Sequence, residues 1–173
     1  MTHLLDYQPL NLYTNYQEAA EKTPTVPIIF DESLPAFPAL GLETTYGESH
    51  QEILKRAYQL AALGVKKGDK IIIYKSPKFD TYLLAVAASY LAAVPVMVSY
   101  HLPFETIEVF VDRLEDPYIL FDDVTAEKVQ AVRNSSANKK LSVASLLEAD
   151  ATEVPQDELT KDEIAYMTHT SGT

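Results

Sequence analysis

Apolar positions along the chain follow two patterns, one with the period of a helix and one made of short continuous runs. The helical period predicts helices over residues 12–21, 45–64, 79–93, 103–114 and 125–133. Apolar runs rich in Val and Ile predict strands over residues 26–30, 70–74, 94–98, 118–121 and 163–167. This alternation, with right-handed crossovers, predicts an α/β fold: one domain over residues 1–173, with a mostly parallel sheet flanked by helices on both faces.

Local signals set the ends of two of these helices. Thr45 and Glu48 have the spacing of a capping box, and Gly64 supplies the left-handed residue that ends the same helix. Ser76 and Pro77 predict the start of the next helix, with the Ser76 hydroxyl as its cap and the proline in its first turn. Both helices would follow short extended segments, as the α/β alternation requires.

Composition and charge exclude several classes of function. The 173 residues are 47 % hydrophobic, enough for one folded domain, and the formal net charge of −11 disfavours nonspecific binding of nucleic acid. The chain has no cysteine, which excludes disulfides, thiolate metal sites and a cysteine nucleophile. The longest apolar run, residues 82–98, contains Ser89 and Pro95 and is interpreted as a helix followed by a strand. We therefore expect a cytoplasmic protein with no membrane span.

The last residues of the chain carry the strongest chemical signal. They form a hydroxyl-rich string directly after the predicted strand over 163–167, namely Thr170, Ser171, Gly172 and Thr173. A glycine lets backbone N–H groups approach an anion closely, and the hydroxyls add hydrogen-bond donors for phosphate. Because the same string also occurs in ordinary turns, these four residues alone leave both interpretations open.

The order of these signals resembles the start of the adenylate-forming (AMP-binding) enzymes, the superfamily of acyl-CoA synthetases, firefly luciferase and nonribosomal peptide adenylation domains. The resemblance extends over residues 12–173 and rests on Thr45-Tyr46-Gly47-Glu48, the turn over residues 63–70, Ser76-Pro77, and Val94-Pro95-Val96-Met97-Val98 running into His101. The family loop continues as Thr-Ser-Gly-Thr-Thr-Gly-x-Pro-Lys-Gly and holds the ATP phosphates. The resemblance thus assigns phosphate binding to Thr170, Ser171, Gly172 and Thr173. Two departures are His169, where the family usually has a bulky residue such as Tyr, and an alanine at 92 or 93 in place of a common glycine.

The resemblance implies that residues 1–173 are the N-terminal subdomain of a larger ligase, cut inside the phosphate-binding loop. The intact enzyme would use ATP and Mg²⁺ to convert a small-molecule carboxylic acid into an acyl-adenylate. It would then transfer the acyl group to the thiol of coenzyme A or of a phosphopantetheine. The identity of the acid and the choice of thiol acceptor stay open.

The 173 residues alone are expected to be inactive. The resemblance places no catalytic and no metal-binding residue within them, and the loop lysine lies beyond Thr173. The terminal carboxylate of Thr173 would also repel ATP. Apolar surface that faces the missing part of the enzyme would favour self-association.

Other residues allow alternative interpretations. His101 fits either a substrate-pocket base or, preferably, a surface loop histidine. Asp122-Asp123 fits either a magnesium site or, preferably, a helix cap. Three tyrosines are explained better by packing of the N-terminal helix than by an aromatic binding face, namely Tyr7, Tyr13 and Tyr16. For the whole chain, the alternative is a noncatalytic α/β module that binds a protein partner and in which the terminal Thr-Ser-Gly-Thr is an incidental turn.

Overall fold

The computed structural model describes residues 11–169, and the central element of this part is a five-stranded parallel sheet. The described strands are β1 (Pro27–Ile29), β2 (Glu43–Thr45), β3 (Lys70–Ile73), β4 (Val94–Met97), β5 (Tyr118–Phe121), β6 (Lys140–Ser142) and β7 (Met167–Thr168). The described helices are α1 (Leu12–Lys22), α2 (Tyr46–Ala62), α3 (Asp80–Tyr90), α4 (Phe104–Leu114), α5 (Ala126–Ala131) and α6 (Val143–Glu148).

The sheet has the strand order β6-β5-β3-β4-β7, and all four of its pairings are parallel. The central strand is β3, in which Ile72 pairs with Val96 of β4 on one side and with Ile119 of β5 on the other. Strands β1 and β2 form a separate antiparallel pair. The predicted α/β class with a mostly parallel sheet is therefore confirmed.

The alternation of side chains along β3 divides the hydrophobic core into two layers. Ile71 and Ile73 pack in the layer that contains residues of α1, α2, α3 and α6, whereas Ile72 and Tyr74 pack in the layer that contains residues of α4 and α5. Helix α3 is apolar on all sides, and its residues 83–88 are almost completely buried because it lies between the sheet and the outer helices. Helices thus cover both faces of the sheet, as predicted.

The capping box predicted at the start of α2 is confirmed. The Thr45 hydroxyl accepts a hydrogen bond from the Glu48 N–H at 3.2 Å, and the Glu48 carboxylate accepts one from the Thr45 N–H at 3.0 Å. Gly64 has φ +96° just past the end of this helix. Ala92 has φ +50°, a left-handed conformation that favours glycine, at one of the positions where the sequence departs from the family pattern.

Other local expectations are corrected. Helix α3 begins at Asp80 without a side-chain cap, so the prediction that the Ser76 hydroxyl caps it is wrong. That hydroxyl instead donates to Asp122, a residue 46 positions later in the chain. The structure also contains β6 and α6, which the hydrophobic pattern does not reveal because β6 buries one side chain and α6 only two.

Candidate ligand-binding edge of the sheet

A crevice opens at the carboxyl edge of the sheet, between the loops that leave β3 and β4. The two loops diverge because α3 covers one face of the sheet and α4 covers the other. The cavity between them has a volume of about 420 Å³ and is lined by Lys75, Pro77, Lys78, Thr81, Val98, Ser99, Tyr100 and His101. Open α/β sheets bind their ligands in crevices of this kind, and the volume is typical of a small-molecule pocket.

Lys75, at the base of the crevice, belongs to a buried group of three charged residues and one serine. We call this group the ionic cluster, and its members are Lys75, Ser76, Asp80 and Asp122. Lys75 Nζ lies 2.5 Å from Asp80 Oδ1 and 3.8 Å from Asp122 Oδ2, and the side chains of Lys75 and Asp80 are completely buried. Asp80 Oδ2 also accepts the Ala36 N–H at 3.0 Å. Burial of these charges is tolerated because each is paired and hydrogen-bonded.

Asp122 fixes the loop after β3 to the end of β5. Its Oδ2 atom accepts the Ser76 N–H at 3.1 Å and the Ser76 hydroxyl, while its Oδ1 atom accepts the Val124 N–H at 3.2 Å. The expected role of Asp122 as a helix cap is wrong, since α5 begins at Ala126 after Thr125 and has no side-chain cap. Asp122 caps only the turn that precedes this helix. Because both oxygens of Asp122 are occupied by protein donors, we do not assign it to magnesium.

The second lysine of the crevice also has a protein carboxylate as its partner. Lys78 Nζ lies 2.9 Å from Glu32 Oε2 and 3.2 Å from the Ser33 carbonyl oxygen. The hydrogen bond to Glu32 raises the pKa of Lys78 above its usual value. The positive charges that line the crevice are therefore balanced locally, and the groups it presents to a ligand are mainly hydroxyl, imidazole and aromatic side chains.

The loop after β4 forms one wall of the crevice, and side chains from just after β3 and from α5 bind its backbone carbonyls. The Tyr74 hydroxyl donates to the Leu102 carbonyl, and Lys128 Nζ donates to the Tyr100 carbonyl at 2.7 Å. Thr125 in turn donates to the Tyr74 carbonyl at 2.6 Å, which ties the start of α5 to the end of β3. His101, expected as a surface loop histidine, is exposed and lines the crevice.

The predicted phosphate-binding residues Thr170, Ser171, Gly172 and Thr173 lie outside the described residues. The strand that precedes them, β7, pairs with β4 through Val96–Met167 and Met97–Thr168. The backbone N–H of His169 donates to the Met97 carbonyl at 3.2 Å, and its ring lies 5.5 Å from the ring of Phe110. The described chain therefore ends at the carboxyl edge, beside the strand whose following loop lines the crevice.

Residues 11–169 contain no group of three or more His, Asp or Glu side chains arranged to hold a metal ion. The two tyrosines of α1 that the structure describes, Tyr13 and Tyr16, are 3 % and 4 % exposed and pack into the core, which confirms their expected role. Tyr7 lies outside the described residues.

The ionic cluster and Lys128 are functional candidates that the sequence pattern did not identify. A partial signal exists, since Lys75 directly follows a buried strand and Asp80 stands at the start of an apolar helix. Neither signal reveals that Asp122, after another strand, completes the cluster. The position of Lys128 behind the loop after β4 depends equally on the packing of α4 and α5 in one layer.

Comparison with known proteins gives a family match. The model of the AMP-binding enzyme family matches residues 16–173. The chain is 33 % identical over 110 residues to a 3-amino-2-hydroxy-4-methoxybenzoate diazotase of Streptomyces cremeus, which covers 64 % of this chain and 20 % of the relative. It is 28 % identical over 141 residues to an uncharacterised acyl-CoA ligase, YtcI, of Bacillus subtilis strain 168, which covers 75 % of this chain and 26 % of that relative. The chain thus spans about a fifth to a quarter of the length of these curated relatives.

Solved structures share the fold. A long-chain-fatty-acid–CoA ligase of Archaeoglobus fulgidus has a TM-score of 0.78 at 17 % identity, covering 98 % of this chain and 36 % of that protein. The N-terminal subdomain of NpsA from Klebsiella oxytoca has a TM-score of 0.73 at 21 % identity, covering 100 % of this chain and 41 % of that one. Among the helices that the structure describes, none is long and apolar enough to cross a membrane. The family match over most of the sequence shows that the chain belongs to the AMP-binding enzyme family.

Proposed function

We propose that this chain is part of an ATP-dependent, acid-activating ligase that resembles the acyl-CoA synthetases. In the first half-reaction, a carboxylate oxygen attacks the α-phosphorus of ATP, so that an acyl-adenylate forms and pyrophosphate leaves. In the second, a thiol of coenzyme A or a phosphopantetheine attacks the acyl carbonyl carbon and AMP leaves. The observation that carries the proposal is the family match over residues 16–173.

Residues 1–173 would form the first subdomain of this ligase, and the phosphate-binding loop would begin within them. The relatives are four to five times as long as the aligned part, which supports a larger enzyme. The pairing of β7 with β4 supports a loop at the ligand-binding edge, because the carboxyl ends of parallel strands meet at the same edge of a sheet.

Thr170, Ser171, Gly172 and Thr173 would hold the leaving phosphates through hydroxyl groups and backbone N–H groups. Stabilisation of the developing phosphate charge by such fixed donors is the main contribution a loop of this type makes to catalysis. ATP would bring Mg²⁺ with it, and the described residues provide no cluster of metal ligands for that ion.

Acid-dependent exchange of pyrophosphate into ATP by the intact enzyme tests the first half-reaction. The acid panel should contain substituted benzoates, since the Streptomyces relative is named for one, together with fatty acids and amino acids. We expect exchange with at least one acid, and we expect no exchange from a protein of these 173 residues alone. Exchange by the 173-residue protein would contradict its proposed incompleteness, and no exchange with any acid would favour a noncatalytic binding module.

Substitution in the phosphate loop tests the site residues. Ser171→Ala in the intact enzyme should reduce the exchange rate about 10- to 100-fold, because one charge-assisted hydrogen bond contributes about 1.5–3 kcal/mol. The matched control is Ser33→Ala, which removes a hydroxyl from an exposed loop serine. Equal rates for the two variants would contradict a phosphate-binding role for Ser171.

A further inference from the structure

The loop over residues 99–103 is fixed by donors that converge on its carbonyl groups. Lys128 Nζ donates to the Tyr100 carbonyl at 2.7 Å and to the Leu102 carbonyl at 3.4 Å. The Leu102 carbonyl also accepts the Tyr74 hydroxyl. Two alternate carbonyls of one loop are thus turned away from the crevice, towards the layer that contains α5.

The other side of the same loop lines the crevice. Tyr100 and His101 both belong to the cavity wall, and their ring centroids lie 3.9 Å apart. Within the loop, the His101 N–H donates to the Ser99 hydroxyl at 3.3 Å, and the Leu102 N–H donates to the Ser99 carbonyl at 3.2 Å. The bond from Lys128 to the Tyr100 carbonyl, at 2.7 Å, is shorter than either internal bond, so Lys128 and the Tyr74 hydroxyl set the direction of the loop.

Carbonyl oxygens and an aromatic ring, rather than a carboxylate, contact the Lys128 ammonium. Its ammonium is half-buried, and no carboxylate of residues 11–169 lies within ion-pairing distance of it. Its partners are the two carbonyl oxygens and the Tyr74 ring, whose centroid lies 5.9 Å away. An apolar side chain at this position would leave the Tyr100 carbonyl without this donor, so the ammonium is the group that ties the loop to α5.

We propose that Lys128 is a positioning residue that holds the loop over residues 99–103 as a preformed wall of the crevice. This inference deepens the proposed function and rests on it for the use of the crevice by a substrate. A wall that is fixed before binding lowers the entropic cost of ordering the site around a ligand. This wall follows β4, the strand that pairs with β7, and therefore lies at the same edge of the sheet as the end of β7.

Amide hydrogen exchange in the 173-residue protein tests the positioning step without any assumption about function. Lys128→Met keeps the aliphatic stem and removes the ammonium, and it should increase exchange at the Leu102 amide by about tenfold or more relative to Ile72 in the core. Lys128→Arg should restore most of the protection, because a guanidinium also donates to carbonyls. If Lys128→Met leaves Leu102 as protected as in the native protein, the positioning role is overturned.

The matched control is Lys139→Met. Lys139 Nζ lies 4.0 Å from the centroid of the Tyr118 ring, at the start of β5 and thus at the opposite edge of the sheet. This variant should leave exchange at Leu102 unchanged. A second variant, Tyr74→Phe, keeps the aromatic ring and removes the other donor to Leu102, and it should give an intermediate increase. An increase in all of these variants would show a general loss of stability and would overturn the proposal.

Steady-state kinetics of the intact enzyme tests the role in the reaction. Lys128→Met should raise the KM of at least one substrate by about fivefold or more and change kcat little, since a positioned wall acts in binding. Lys139→Met should leave both constants unchanged, and Lys128→Arg should restore the KM. Unaltered KM values in Lys128→Met would overturn a role of this wall in substrate binding. A native enzyme without acid-dependent activity would refute the proposed function instead, and hydrogen exchange would still decide whether Lys128 positions the loop.

Discussion

Two of the regions that bury polar side chains differ in chemistry, the tyrosine cluster beneath α1 and the ionic cluster at the carboxyl edge. In the tyrosine cluster, the Tyr13 hydroxyl lies 3.0 Å from His50 Nε2, the Tyr16 hydroxyl lies 2.6 Å from Ser49 Oγ, and the Tyr13 and Tyr90 rings meet edge to face. In the ionic cluster, the completely buried ammonium of Lys75 pairs with the carboxylates of Asp80 and Asp122. One region therefore uses neutral hydrogen bonds and the other uses charges.

The two clusters also differ in their position relative to the candidate ligand-binding crevice. The tyrosine cluster joins α1 to α2 and α3, where neutral hydroxyls and aromatic contacts stabilise packing at little desolvation cost. The ionic cluster lies at the base of the crevice, where buried charges bring little net stability but impose one geometry on three segments of the chain. We infer that the buried charges of the ionic cluster serve the position of the loop after β3 more than the stability of the fold.

The largest expected effect is at the ionic cluster. Asp80→Asn should lower the free energy of unfolding by about 3 kcal/mol, because it leaves the Lys75 ammonium buried without its nearest charge. The effect should be at the lower end for a broken buried pair, since Asp122 still lies 3.8 Å from Lys75. Urea-induced unfolding measures this difference.

The control for this prediction is an ion pair at the surface. Glu163→Gln removes the partner of Lys67 in a pair at 3.2 Å whose side chains are both more than a third exposed. It should lower the free energy of unfolding by less than about 1 kcal/mol, and less still at high salt. If Asp80→Asn lowers the free energy of unfolding no more than Glu163→Gln does, the ionic cluster does not constrain the fold.

Two serine substitutions should give effects of opposite sign. Ser76→Ala removes the hydroxyl that donates to Asp122 and should lower the free energy of unfolding by about 1.5–3 kcal/mol. Ser89→Ala in α3 removes a buried hydroxyl that has no partner among the described residues, and it should raise that free energy by about 1 kcal/mol. Both are measured by urea unfolding, and a loss of stability in Ser89→Ala would contradict the assignment of its hydroxyl as unsatisfied.

The smallest expected effect is the stability that the tyrosine cluster loses at alkaline pH. Burial raises the pKa values of Tyr13 and Tyr16 to about 12, so the folded state favours the neutral phenols. Their stabilisation is complete below 10.0, the ordinary pKa of a tyrosine, and is lost as the pH rises from there through about 12. At about pH 10.5 the loss should be less than about 1 kcal/mol for each tyrosine.

The double variant Tyr13→Phe, Tyr16→Phe removes both phenols and should lose less stability than the native protein between about pH 9 and pH 10.5. Denaturant unfolding monitored by circular dichroism gives the comparison. Identical pH dependence in the two proteins would show that these tyrosines are not the groups protected by burial.

Most of the sheet could be predicted because its strands are buried on both faces and therefore form continuous apolar runs. Strand β3 is an example. Helix α2 could be predicted for another reason, namely its capping box and its closing glycine. Strand β6 was not predicted because it is a three-residue edge strand with one buried side chain, Leu141. Strand β7 was expected over residues 163–167 and covers Met167–Thr168, because pairing with β4 rather than local composition selects its residues.

Less of the candidate site than of the fold could be predicted from the sequence. Lys75, Asp80 and Asp122 come together only because β5 lies beside β3, which places residues 46 or 47 positions apart in contact. Ser76 illustrates the limit, since its dipeptide with proline indicates a local cap whereas its hydroxyl bonds a distant carboxylate. The terminal residues Thr170, Ser171, Gly172 and Thr173 stay a proposal derived from the family motif.

The proposed attack of a carboxylate on ATP is tested most directly by following oxygen atoms in the intact enzyme. An acid that supports exchange is labelled with ¹⁸O in both carboxylate oxygens and is incubated with ATP, Mg²⁺ and the thiol acceptor. Attack on the α-phosphorus followed by cleavage of the acyl carbon–oxygen bond leaves one labelled oxygen in AMP. We predict AMP that carries this label, measured by mass spectrometry. Unlabelled AMP, or ADP as the product, would contradict formation of an acyl-adenylate.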